Sequence, residues 1–158
     1  MFNFLNYPSF SDGILEIRLS QVLEADEEKQ YVPSYIYYMY EPRNPVVAGY
    51  IDLRIGDNES LFYGGHIGYR VNEPFRGHGY AGRACRLIVP LALAHGMESL
   101  RITCSPDNLA SKRTIEKLGA EFLGLVKVPP YNEMYQRGEV EKCIFLWHIK
   151  DLISDKRV

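Results

Sequence analysis

Cysteine, net charge and long apolar runs are all scarce in this sequence, and each scarcity excludes something. The three cysteines, Cys85, Cys104 and Cys143, are odd in number, far apart and never in a CxxC spacing. They make neither a disulfide framework nor a metal knot, and read as reduced core thiols of a cytoplasmic protein that binds no metal. No run of about 18 apolar residues is present, so no membrane span is expected. Met1 to Ser11 lacks a basic segment followed by an apolar block, and therefore reads as no secretory signal. The balance of 18 Lys+Arg against 20 Asp+Glu leaves a net charge of −2, which excludes a generally basic nucleic-acid binder and a polyacidic tail. Repeats, low-complexity tracts and linkers are also missing. One domain over residues 1–158 is expected, long enough to bury a sizeable core.

What is present is unevenly distributed. Residues 1–69 carry 4 basic and 10 acidic side chains, residues 70–117 carry 8 and 4, and residues 118–158 carry 6 and 6. A locally positive stretch inside an otherwise acidic chain suggests a polyanionic ligand held at one place. Alternation from Ile14 to Leu19 predicts a strand, followed by an acidic loop or short helix at Glu24 to Glu28. Tyr35 to Tyr40 and Val46 to Ile55 predict two antiparallel strands joined by a turn at Glu41 to Pro45. Leu61 to Val71 reads as a further strand, with Gly64, Gly65 and Gly68 marking a bulge or a close backbone approach. The period then becomes helical: Tyr80, Ala84, Leu87, Ile88, Leu91 and Ala92 share a face that stops at Gly96, with a kink or break expected near Pro90. A short buried strand at Leu100 to Cys104 leads to a helix over Leu109 to Leu118, capped by Asp107 or Asn108 and closed by Gly119. Strands near Glu121 to Val128 and Val140 to Ile149 complete an α/β (α+β) pattern, one mixed sheet with helices on its faces.

The chemistry is concentrated in Val71-Asn-Glu-Pro-Phe-Arg76-Gly77-His78-Gly79-Tyr80-Ala81-Gly82-Arg83. A glycine-rich turn between strand and helix aims unpaired N–H groups outward at the positive end of the helix dipole, a phosphate-binding arrangement. A P-loop is excluded because no Lys-Ser or Lys-Thr follows at the required spacing. The Gly77-x-Gly79-x-x-Gly82 match to a dinucleotide fingerprint is weak. Pro74 and Phe75 separate it from the strand, and Leu100-Arg-Ile-Thr-Cys104 ends without the ribose-binding acid. A turn that merely needs glycine for its backbone angles is the remaining plain alternative.

A fourth reading covers more residues. Arg76-Gly77-His78-Gly79-Tyr80-Ala81 resembles the (Gln/Arg)-x-x-Gly-x-(Gly/Ala) pyrophosphate loop of the GNAT superfamily, the acetyl-CoA-dependent N-acetyltransferases. Asn108-Leu-Ala-Ser111-Lys112-Arg-Thr-Ile115-Glu-Lys-Leu-Gly119-Ala resembles that family's Asn-x-x-Ser/Ala helix ending in Glu-Lys-Leu-Gly-Phe. Together the blocks cover about residues 46–125, and the wording around His66 is similar to an uncharacterised acetyltransferase branch. The resemblance implies a mostly antiparallel central sheet of six to seven strands flanked by helices. It also implies acetyl-CoA as cosubstrate, direct transfer to an amine-bearing small molecule or protein N-terminus, and a homodimer as a frequent assembly.

The resemblance further implies that Tyr69 and Val71 present backbone to pantetheine, with a carbonyl-polarising N–H at a bulge near them. The loop from Gly77 through His78, Gly79 and Tyr80 to Ala81 is to hold pyrophosphate, with Arg76, Arg83, Lys112 and Arg113 neutralising charge. A solvated helix face is the alternative for the last three. Asn108 is a cofactor contact or only a cap. His66 stands about where many members place a catalytic Glu, and is the candidate general base by its neutral-range titration, against a plain cross-sheet hydrogen bond. Glu73 is the second candidate, and a water relay needs neither. Ile115 replaces a common general-acid tyrosine, which leaves Ser111 as the acid, or as a cofactor contact, or as a serine bonded to its own helix. Tyr31, Tyr35, Tyr37, Tyr38, Tyr131 and Tyr135 are candidates to line the acceptor site, and the acidic first third favours a cationic acceptor. A non-catalytic acyl-CoA sensor and an interaction module working through a sheet edge are the competing functions.

Overall fold

Period-two alternation, rather than helix-forming residues, dominates the first 55 positions, and they fold as an antiparallel meander. The computed structural model describes residues 1–155. Strands β1 (Ser9–Ser11), β2 (Glu16–Leu23), β3 (Ser34–Tyr40), β4 (Val47–Arg54) and β5 (Ile67–Val71) pair in sequence order. Helix α1 (Glu59–Gly64) precedes β5, a 3-10 turn (Glu73–Phe75) follows it, and the chain then enters α2 (Tyr80–Ala94). A second sheet of β6 (Leu100–Cys104), β7 (Glu121–Lys127) and β8 (Glu141–Trp147) has the order β6-β8-β7, with α3 (Leu109–Lys117) between β6 and β7. Helices α4 (Glu133–Gln136) and α5 (Lys150–Asp155) flank β8. Among the described residues, eight strands thus form two antiparallel groups of five and three, against an expected single sheet of six to seven. Among the described residues no helix is long and apolar enough to cross a membrane.

One core spans both groups. Ile17, Tyr35, Tyr37, Met39, Ile51 and Leu53 of the first sheet meet Ala84, Ile88 and Leu91 of α2, and Leu100, Ile102 and Phe145 of the second. Tyr35 and Tyr37 are wholly buried there rather than lining a site. Their hydroxyls are satisfied locally: Tyr35 accepts from the Leu5 amide at 2.8 Å and Tyr37 donates to the Tyr7 carbonyl at 2.7 Å.

Two local expectations fail for identifiable reasons. Leu61 to Gly64 is helical rather than extended, because Asn58 accepts a hydrogen bond from the Leu61 amide at 2.9 Å and caps α1. Gly65 then ends that helix at φ 81°, a left-handed angle that glycine takes without strain. Pro90 neither ends nor divides α2, which runs unbroken to Ala94. Its ring lies on the exposed face, away from the packed side of the helix.

The glycine-marked close approach occurs at Gly65, where a Cβ would lie 2.9 Å from the Arg101 carbonyl oxygen and 3.3 Å from the Thr103 nitrogen of β6, and an unmarked glycine on β4 makes a second. A Cβ at Gly49 would collide with the Arg70 carbonyl and lie 3.0 Å from the Val71 Cα. Gly49→Ala is therefore expected to lower stability by about 1–3 kcal/mol through overpacking. The check is a lower urea midpoint at unchanged m-value; an unchanged midpoint would refute it.

Candidate active site

Sheet pairing decides which parts of β5 remain available. The Arg54 amide donates to the His66 carbonyl and the Asn72 amide to the Ala48 carbonyl, both at 2.8 Å. Antiparallel alternation therefore turns residues 66, 68, 70 and 72 toward β4, and leaves the amides and carbonyls of Ile67, Tyr69 and Val71 on the open edge. No bulge interrupts this register, so the expected bulged N–H is instead an ordinary edge N–H, at Tyr69 or Val71.

The open edge faces β6. The two strands share no ladder, and where they meet the contact is made at His66. Its amide donates to the Arg101 carbonyl at 2.7 Å, and the Arg101 amide donates to its Nδ1 at 2.8 Å. Nε2 completes the set by donating to the Gly56 carbonyl at 3.1 Å, which fixes a neutral tautomer. Burial, reinforced by the Arg101 charge, lowers the ring's pKa below its ordinary value.

Beyond this crossing lies a cavity of about 850 Å³. Its walls include Tyr69 of β5, Cys104 and Ser105 at the end of β6, and Asn108 and Ser111 at the start of α3. Asn108 accepts from the Ser111 amide at 3.2 Å and so caps α3. The Tyr69 hydroxyl reaches across the gap to Ser111 Oγ at 2.7 Å. Burial pushes the Tyr69 hydroxyl pKa up, so it remains a proton donor. Ile115, one turn further along α3, is wholly buried in the core. Cys104 lines the cavity too, but burial raises its thiol to about 11, which keeps it protonated at neutral pH.

The glycine turn is built as anticipated. Gly77 and Gly79 adopt φ 90° and 72°, and a Cβ on either would meet nothing within 4 Å. Among the described residues no protein acceptor takes the amides of Gly77, His78 or Gly79, and the α2 N-terminus adds its dipole beside them. A pyrophosphate fits these donors. Side chains around the turn are more committed than the sequence suggests. Arg76 donates from Nε to the Val71 carbonyl at 2.9 Å, leaving its terminal nitrogens free among the described residues. Tyr80 is buried, its hydroxyl donating to Glu41 at 2.6 Å. Arg83 pairs with Asp12 at 2.9 Å. Lys112 lies on the far side of α3, with Phe122 and Phe145, and Glu73 stands exposed on the 3-10 turn, outside the cavity wall.

Of the six tyrosines expected at an acceptor site, Tyr31 and Tyr131 line the cavity; Tyr50 and Tyr69 line it as well. Asp52 is a wall residue that the sequence reading missed. It lies over Gly68, where a Cβ would sit 2.5 Å from Oδ1, and Arg54 holds its Oδ2 at 3.2 Å. The signal was available: in register, Asp52 stands directly opposite the glycine. Six carboxylates and four cations line the cavity, and two of those cations, Arg137 and Lys142, share Glu139.

This architecture has known counterparts. The sequence profile described as an acetyltransferase (GNAT) domain matches residues 9–121. The chain belongs to the GNAT acetyltransferase family. Among functionally curated proteins, none is significantly similar in sequence. Several solved structures share the fold of this GNAT chain. The ribosomal L7/L12 alpha-N-protein acetyltransferase RimL, in complex with coenzyme A, is 16% identical, covering 87% of this chain and 95% of that one with a TM-score of 0.61. The Microcin C7 self immunity acetyltransferase MccE, in complex with acetyl-CoA and AMP, is 22% identical over 76% of this chain, with a TM-score of 0.55. This chain spans only 61% of the MccE structure's length. A Salmonella typhimurium acetyltransferase that modifies the N-terminal serine of ribosomal protein L7/L12 is 20% identical, with a TM-score of 0.54, over 76% of this chain and 65% of that one.

The His66 contacts carry a pH signature. A folded state that lowers the histidine pKa withholds a proton that the unfolded chain takes up, so stability falls as pH drops below about 6.5. His95, whose pKa burial also lowers, adds to this slope. Urea unfolding between neutral and mildly acidic pH should show the decline. His66→Gln should flatten part of it and cost about 1–3 kcal/mol at neutral pH, because the Arg101 amide loses its acceptor. An unaltered slope in the variant would contradict the His66 assignment.

Proposed function

We propose that this chain transfers acetyl from acetyl-CoA directly to a primary amine, as one acetyltransferase domain over residues 1–158 acting in the cytoplasm. The observation that carries the reading is the Tyr69–Ser111 hydroxyl pair, set beside the unpaired edge of β5 and facing the cavity. In this scheme Gly77 to Ala81 supply backbone donors for the pyrophosphate, with the Arg76 terminal nitrogens beside them. The Tyr69 or Val71 N–H, which has no strand partner, polarises the thioester carbonyl. The amine nitrogen forms the new C–N bond as the C–S bond breaks. Ser111 gives its proton to the departing sulfur and is reprotonated from Tyr69, and the proton that the nitrogen sheds on becoming an amide returns to the Tyr69–Ser111 pair, which ends the cycle neutral. Direct transfer is favoured because the cavity's cysteine, Cys104, is a protonated thiol rather than a nucleophile.

His66 is not the base in this reading. Its Nδ1 already accepts the Arg101 amide and its Nε2 is turned to the Gly56 carbonyl. Glu73 is exposed on the 3-10 turn and does not line the cavity. Asp52 takes the role instead: its carboxylate is pinned by Arg54 on the strand next to the Tyr69 edge, positioned to orient an ammonium group and accept its proton. The excess of carboxylates over cations in the cavity supports a cationic acceptor, either a small amine or a protein N-terminus. The second is the acceptor class of the ribosomal-protein acetyltransferases that share the fold.

Turnover of acetyl-CoA over a panel of amines and N-terminal peptides tests the proposal. Tyr69→Phe and Ser111→Ala should each lower kcat about 10²-fold or more, with KM for acetyl-CoA little changed. The double variant should lose no more than the worse single variant, since the two hydroxyls act as one unit. Asp52→Asn should lower kcat about tenfold or more with KM for acetyl-CoA little changed. Tight coenzyme A binding without transfer to any acceptor would favour a sensor and overturn the catalytic reading.

A further inference from the structure

Three glycines, Gly64, Gly65 and Gly68, converge on one side chain, the guanidinium of Arg54. Its Nη1 donates to the carbonyls of Gly64 and Gly65, both at 3.0 Å, two of the acceptors that the end of α1 leaves without intrahelical partners. On its other side Nε donates to Asp52 Oδ2 at 3.2 Å and Nη2 to Oδ1 at 3.4 Å, so both carboxylate oxygens are held at once. Four of the five N–H donors of the guanidinium are thereby used. The single nitrogen of a lysine cannot reproduce that fork.

Gly68 is the floor of this arrangement. It stands opposite Asp52 in register, and a Cβ there would lie 2.5 Å from Asp52 Oδ1 and 2.6 Å from Arg54 Nη2. Its φ is not left-handed, so the backbone accepts an alanine, but only if the two side chains lift off the sheet. The glycine is therefore needed by the ion pair that lies across it. Asp52 and Arg54 share one face of β4, both line the cavity, and both are largely shielded from solvent. The other end of α1 is tied to the walls of the same cavity. Asn58 donates from Nδ2 to the Gln30 carbonyl at 2.8 Å, and Glu59 accepts from the Tyr131 hydroxyl. Gln30 and Tyr131 are both wall residues, so one short helix fixes the guanidinium relative to the space an acceptor would fill.

We propose that Arg54 is a positioning residue for acetyl transfer: anchored on the last carbonyls of α1 and laid across Gly68, it aims the Asp52 carboxylate at the acceptor nitrogen. The inference rests on the reading of Asp52 as the base and deepens it. Arg54 acts through Asp52 rather than on the substrate. An unheld carboxylate on a strand turns among its rotamers, and a misplacement of about 1 Å at a reacting group costs up to about 10²-fold in rate. The glycines at 64, 65 and 68 are in this account the seat of a guanidinium.

A double-mutant cycle on kcat tests it, with acetyl-CoA and the fastest acceptor of the amine and peptide panel. Gly68→Ala is the most selective variant, because it displaces the pair while removing no functional group. Gly68→Ala and Arg54→Lys should each lower kcat about tenfold, with KM for acetyl-CoA little changed. In the Asp52→Asn background each should lower kcat by less than about twofold more, because the carboxylate they position is already gone. A guanidinium that merely held α1 in place would cost the same factor in both backgrounds, and that additivity would overturn the proposal. So would an unchanged kcat in Gly68→Ala and Arg54→Lys beside a slowed Asp52→Asn. Circular dichroism verifies folding, and where Arg54→Lys does not fold, Gly68→Ala carries the comparison. Should Asp52→Asn itself keep the unmodified kcat, or no acceptor in the panel turn over, the reading of Asp52 as base falls and the seat with it. Those results differ from a failed seat, in which Asp52→Asn alone is slow.

Discussion

Two hydrogen bonds between His66 and Arg101 set the shape of this molecule. They hold the entrance to β5 against β6 at one point, with 2.7 Å from the His66 amide and 2.8 Å to its Nδ1. Past that point the strands belong to different sheets, and no ladder bridges them. Backbone groups buried without partners are costly, so an unpaired strand edge inside a protein ordinarily awaits something that will pair with it. Here the edge of β5 opens on a cavity large enough for a ligand, and the same strand leads into the glycine turn, whose amides have no protein acceptor among the described residues. The histidine that suggested proton transfer is in this account the clamp that creates the gap where transfer takes place.

The gap also explains how the chain accommodates Ile115. The family resemblance implies a general-acid tyrosine at that point of α3. Ile115 is committed to the core, where it fixes α3 against the rest of the protein. In the proposed mechanism the hydroxyl is delivered from the opposite wall, by Tyr69 through Ser111, so a donor remains in the cavity without altering the buried face of the helix. The price is that two elements, β5 and α3, must keep their separation for one proton path to remain intact.

Much of this was legible from residue order. The strand at Leu100 to Cys104, the helix faces of α2 and α3, and the Asn108 cap follow from periodicity and capping chemistry, and the glycine turn from positive-φ demands at Gly77 and Gly79. What escaped depended on partners distant in sequence. Nothing near His66 says that the Arg101 amide lies against its ring, and nothing near Tyr69 places Ser111 within reach of its hydroxyl. Tyr35 and Tyr37 look the same as Tyr31 in sequence, yet two are core and one lines the cavity, because the first two point toward α2. Helix α1 was hidden for a local reason: a buried Leu61 beside aromatic residues imitates a strand until the cap at Asn58 is weighed.

The central claim is that the Tyr69–Ser111 pair and the free edge of β5 face one reacting thioester. A crystal structure with acetyl-CoA tests that most directly. The account predicts the thioester sulfur within about 3.5–4 Å of Ser111 Oγ, and its carbonyl oxygen about 3 Å from the Tyr69 or Val71 amide. A sulfur on the far side of α3, or a carbonyl bound by groups away from β5, would contradict it.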